Sequence, residues 1–121
     1  MKTDVLPVSA ASIDRAALLL KAGEVVAFPT ETVYGLGANA LDEGAVAKIF
    51  AAKGRPADNP LIAHIADRAA LPLLVRGVDR RARALMDAFW PGPLTLIFEK
   101  TDRVPAIVSA GLSTVAVRMP S

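Results

Sequence analysis

The 121-residue sequence contains no cysteine, which excludes a disulfide scaffold, a thiolate-bound metal and a cysteine nucleophile. It has one histidine, His64, so no histidine-rich metal site can form. It has almost no excess of one charge: 14 Lys and Arg against 12 Asp and Glu leave +2. Net charge alone therefore does not mark a nucleic-acid binder. Long apolar runs are missing too. The longest, Ala16 to Leu20, is far below the ~20 residues that span a bilayer. Met1-Lys2-Thr3-Asp4 lacks an apolar signal core. Internal repeats, a P-loop, G-x-G-x-x-G, H-E-x-x-H and G-x-S-x-G are all absent. The resulting expectation is a soluble, cytoplasmic chain in a reducing setting, with no membrane partner.

What is present argues for a folded domain. Hydrophobic residues make up 53% and charged residues 21%, enough apolar material to offset the entropy of ordering. The length fits one domain, residues 1–121. Nine prolines and eight glycines cut the chain into short elements, which predicts mixed α and β structure.

Ser12 is a candidate cap for a helix running to about Ala22, with Ile13, Ala16, Ala17 and Leu20 as its apolar stripe. Glu24 to Phe28 reads as a buried strand ended by Pro29, and Val33 to Ala38 as a second strand loosened by Gly35 and Gly37. Asp42 caps a helix to Lys53, stopped by Gly54 and Pro56. Leu61 to Ala66 reads as a strand and Asp67 to Val75 as a short helix. Asp79 caps a clearer helix that Trp90-Pro91-Gly92-Pro93 ends, and Arg83 and Asp87 on it form an i, i+4 pair. Leu94 to Phe98 and Thr114 to Arg118 are the last two strands. The order αββαβααββ is not a βαβ repeat, so a mixed sheet with helices packed on it is expected.

Four places can carry chemistry. In Pro29 to Gly37, an extended chain points Thr30, Thr32 and Tyr34 to one face, which makes a polar pocket or simply a strand rich in strand-formers. Lys53-Gly54-Arg55-Pro56 with Asn59-Pro60 puts a cation at the apolar side of a helix end. There it meets an anion, or snorkels and answers the macrodipole; Arg55 beside it offers a planar fork for phosphate or carboxylate, or is solvated. His64 shares a strand face with Ile62 and Ala66 and is either a ligand contact or a satisfied structural residue. Thr114, Ala116 and Arg118 share a face opposite Val115 and Val117, as an anion site or as a solvated edge. Arg76, Arg80, Arg81 and Arg83 read as a solvated helix face.

Together these motifs resemble the YrdC-like family, the threonylcarbamoyl-AMP synthases. The likeness rests on Phe28-Pro29-Thr30-Glu31-Thr32-Val33-Tyr34-Gly35-Leu36-Gly37, then Lys53-Gly54-Arg55-Pro56, Asn59-Pro60-Leu61 and His64. Trp90-Pro91-Gly92-Pro93-Leu94-Thr95 and Thr114 to Pro120 complete it, so it covers about residues 12–121.

The resemblance implies an α/β fold, a twisted open mixed sheet with flanking helices. It implies a nucleotidyltransferase that makes threonylcarbamoyl-adenylate and pyrophosphate from L-threonine, bicarbonate and ATP, with Mg²⁺ beside the nucleotide. The product serves threonylcarbamoyladenosine formation in tRNA, so downstream tRNA-modifying proteins and RNA contact are implied partners. Carried over, Thr32, His64 and Arg118 look like L-threonine contacts. Arg55, Asn59 and Thr114 look like ATP contacts, and Lys53 a phosphate-facing cation; Lys53 and Arg55 together would neutralise the leaving pyrophosphate. The family pattern continues past Ser121 with a Ser/Ala/Asn-rich nucleotide segment and a later Ser-Thr-Val segment. The chain is therefore expected to be the N-terminal part of a catalytic domain, weakly active by itself and prone to self-association. An RNA-binding module without catalysis and an inert fragment are the alternatives.

Overall fold

The computed structural model describes residues 3–30, 33–54 and 60–121. Helix α1 spans Ala10–Lys21. Strands β1, Val26–Pro29, and β2, Tyr34–Gly37, form an antiparallel pair. Helix α2 spans Glu43–Lys53, strand β3 Ile62–His64 and helix α3 Leu71–Leu74, entered through a 3-10 turn at Arg68–Ala70. Helix α4 covers Arg80–Phe89, strand β4 Thr95–Glu99, helix α5 Ala106–Ser109 and strand β5 Thr114–Arg118. β5 is the middle of a three-stranded mixed sheet, parallel to β3 and antiparallel to β4.

The local rules explain most of these boundaries. Asp42 accepts from the Ala45 amide at 3.2 Å, and Gly54 closes α2 in the left-handed conformation at φ 62. Asp67 and Asp79 cap the 3-10 turn and α4 in the same way. Helix α1 starts earlier than its sequence suggests. Its N-cap is Ser9, and Ser12 sits three residues in, completing a reciprocal capping box. Both serines are competent caps, so periodicity alone places the start one turn late. Pro29 does not end β1 but is its last paired residue, opposite Tyr34. Helix α5 escaped the sequence reading because four residues are too few to show a period. The expected Arg83–Asp87 pair is replaced: Asp87 accepts instead from Arg68 at 2.6 Å.

Two close approaches dictate glycines. The Phe28 ring lies across β2, and a Cβ at Gly35 or Gly37 would come within 3.0 or 2.9 Å of it. These glycines therefore make room for an aromatic rather than loosen the strand. At Gly92 a Cβ would sit 2.5 Å from the Phe89 carbonyl oxygen. Gly92→Ala is expected to lose ~1–3 kcal/mol of stability through overpacking, read as a lower melting temperature. An unchanged melting temperature would contradict that contact.

The core lies on one face of the mixed sheet. Val115 and Val117 of β5, Ala63 of β3 and Phe98 of β4 face inward against Val46 and Phe50 of α2, Met86 of α4 and Trp90. Alternation then sends the intervening residues outward. Among the described residues no helix is long and apolar enough to cross a membrane.

Candidate functional site

The outward face of the mixed sheet is built in rungs. The first carries His64 on β3, Arg118 on β5 and Thr95 on β4. The second carries Ile62, Ala116 and Ile97, with both isoleucines exposed. The third pairs Thr114 with Glu99. Thr114 and Arg118 are thus four residues apart on one face, about 13 Å along the strand at ~3.3 Å per residue.

Arg118 is the electrostatic centre of this face. Its residue is half-buried, and its Nε donates to Thr95 Oγ1 at 2.9 Å. Among the described residues it has no acidic partner within 4.0 Å. A partly desolvated cation without a counter-charge is costly, and an anionic ligand relieves that cost. His64 flanks it on the β3 side. Although much of the residue is exposed, desolvation of the ring and then the Arg118 guanidinium hold its pKa below the ordinary 6.5. The imidazole is therefore neutral at pH 7, able to accept at one nitrogen and donate at the other.

The sign of the pH effect follows. The folded value lies below the unfolded one, so the contribution of His64 to stability is fully present above about 6.5 and is lost as pH falls through the folded value. An NMR titration of this sole histidine is expected to give a midpoint below 6.5, which Arg118→Met raises only part of the way, because desolvation remains. His64→Gln is expected to flatten the acid side of the melting-temperature profile. A wild-type midpoint at or above 6.5 would contradict both.

Thr114, at the far rung, lines an open depression of about 600 Å³ together with Arg76, Asp79, Ile97 and Glu99. Arg76 is held there by Asp102 at 3.2 Å and by the Lys100 carbonyl at 2.9 Å. Lys53 does not lie on the apolar side of α2 as its spacing suggests: it is exposed in the last turn, and Val46, Ile49 and Phe50 carry the burial. Among the described residues no hydrogen bond or ion pair joins it to His64, Arg118 or Thr114. Thr32, Arg55 and Asn59 lie outside the described residues. Of the proposed row of three hydroxyls, Thr30 is bound to the Val33 backbone, which closes the turn between β1 and β2, and Tyr34 is exposed. Thr95 was missed by the sequence reading. Its only signal was its place at the end of the Trp90–Thr95 motif, and its partner becomes visible only with the strand register.

Residues 18–121 match the family Sua5_yciO_yrdC, described as Telomere recombination. A threonylcarbamoyl-AMP synthase of Pyrococcus abyssi is 59% identical over 106 residues, covering 88% of this chain and 31% of that protein. A threonylcarbamoyl-AMP synthase of Bacillus subtilis is 57% identical over 119 residues, covering 98% and 34%. The crystal structure of P. abyssi Sua5 complexed with L-threonine superposes with a TM-score of 0.89 at 55% identity, over 96% of this chain and 34% of that one. The chain thus spans about a third of the length of these relatives.

Proposed function

The chain belongs to the Sua5–YciO–YrdC family, with that family's mixed α/β fold, and on that premise we propose that its outward sheet face binds L-threonine and ATP for the synthesis of threonylcarbamoyl-adenylate. It is homologous to threonylcarbamoyl-AMP synthases, which are nucleotidyltransferases. One observation carries the reading: a half-buried arginine without an acidic partner among the described residues, flanked by a neutral histidine, on a chain this similar to a protein complexed with L-threonine.

In this reading Arg118 takes the threonine carboxylate. His64 orients the amine or hydroxyl, and Thr32 adds a further contact. Lys53 and Arg55 meet the phosphates, while Asn59 and Thr114 meet the nucleotide. The amine nitrogen attacks the bicarbonate carbon, and loss of water leaves a carbamate. A carbamate oxygen then attacks the α-phosphorus, the bond to the β-phosphate bridge breaks, and pyrophosphate departs. Two cations near the phosphates stabilise the charge that develops on it. Positioning supplies much of the rate, since well-oriented reactants recover ~7–11 kcal/mol of barrier. No strong general base is then required of His64.

Mg²⁺ enters this reading only as the companion of the triphosphate that the family resemblance implies. Among the described residues no group of three His, Asp or Glu side chains is gathered to hold a metal. A Mg²⁺ that arrives with the nucleotide would be held chiefly by phosphate oxygens and water, and no step is assigned to it.

The test is pyrophosphate release from ATP by this chain, with and without L-threonine and bicarbonate, beside calorimetric L-threonine binding. Release that needs both co-substrates, with saturable threonine binding, supports the reading. Absence of any L-threonine or ATP binding overturns it.

A further inference from the structure

We infer that Thr95 is a positioning residue of the amino-acid subsite: by accepting the Arg118 Nε–H it leaves only the terminal fork of the guanidinium to meet a ligand carboxylate. This rests on the reading of Arg118 given above and extends it to a residue that the sequence motifs did not assign.

A guanidinium offers two bidentate edges. One joins Nε and one terminal nitrogen; the other joins the two terminal nitrogens. The 2.9 Å bond from Nε to Thr95 Oγ1 occupies a donor that the first edge needs. The second edge remains, and no other hydrogen bond of this side chain is formed among the described residues. Thr95 and Arg118 are direct partners in the β4–β5 ladder, which puts their side chains on the same face. The bond also fixes the plane of the guanidinium, so much of its rotamer freedom is already lost on folding rather than on binding.

Thr95 itself is held firmly. The buried Trp90 donates its indole N–H to the Leu94 carbonyl at 2.8 Å, fixing the residue before it. The Gly92 amide donates to the Met119 carbonyl at 2.8 Å, tying the same loop to the residue after Arg118. The Trp90–Thr95 segment thus brings one hydroxyl to one guanidinium with little slack, as a preorganised contact requires.

The experiment compares wild type, Thr95→Val and Thr95→Ser. Binding of L-threonine and of L-threoninamide, which lacks the carboxylate charge, is measured by calorimetry. The Arg118 Nε–H signal is followed by NMR in protein carrying ¹⁵N-arginine. Thr95→Val keeps the shape and removes the acceptor. It is expected to weaken L-threonine about tenfold, to leave L-threoninamide unchanged and to speed solvent exchange of the Nε–H. Thr95→Ser keeps an acceptor and is expected to retain the preference for L-threonine. The inference is overturned if Thr95→Val keeps the wild-type preference, if it weakens both ligands equally, or if Thr95→Ser fails to restore the preference. A wild-type chain that binds no L-threonine overturns the reading of Arg118 itself and this inference with it. That failure is distinct because it appears before any substitution.

Discussion

On the proposed reading of the site, Arg118→Met is expected to weaken L-threonine binding 100-fold or more. Two terminal N–H groups meeting a carboxylate make charge-assisted bonds of ~1.5–3 kcal/mol each, and losing both removes roughly 3–6 kcal/mol. Methionine fills similar volume without the charge. The same change has little effect on the fold. Arg118 makes no ion pair among the described residues, and its bond to Thr95 lies on the outward face. The melting temperature is expected to stay close to that of wild type. Calorimetry and thermal unfolding together decide the matter: a Met variant binding L-threonine within threefold of wild type removes Arg118 from the site.

Trp90→Ala has the largest expected effect on stability. Trp90 is 5% exposed and packs edge-on against Phe98, ring centroids 6.5 Å apart at 60°. Its indole N–H also satisfies the Leu94 carbonyl. Truncating a buried tryptophan costs ~3–5 kcal/mol, and for a chain of this size that lowers the melting temperature by roughly 10–20 °C. Trp90→Phe retains a ring and loses the hydrogen bond, so its expected loss is smaller. Thermal unfolding orders the three proteins. An alanine variant melting within about 5 °C of wild type would show that the Trp90 contacts contribute little.

What the sequence revealed and what it hid divide along a physical line. Helix α2 was legible because Asp42 and Gly54 act within one turn of the residues they cap. The two faces of β5 were legible because alternation is local: Val115 and Val117 are buried, while Thr114 and Arg118 face the other way. The pairing of His64 with Arg118 was not, since it joins strands distant in sequence and only the assembled sheet sets its register. Thr95 was hidden for the same reason. Lys53 was misplaced because its spacing from Val46 predicts the apolar side, whereas the helix leaves the core after Phe50 and residues 51–53 are exposed. The phosphate side, through Arg55 and Asn59, stands on the motif alone, because those residues lie outside the described ones.

The direction of the β4–β5 ladder carries a consequence for folding. The rung nearest the connecting segment is Glu99 with Thr114; the rung farthest from it is Thr95 with Arg118. Closing the shorter loop first is entropically cheaper, so the ladder zips from the Thr114 end toward Arg118. The arginine rung is then the last of this ladder to close, and once closed it is held on its other side by β3 and beyond it by the Gly92–Met119 bond. On the proposed reading, a carboxylate seated on it adds a further tie to the rung that closes last, and slowed amide exchange at Arg118 and its ladder partners is the expected backbone record of its arrival.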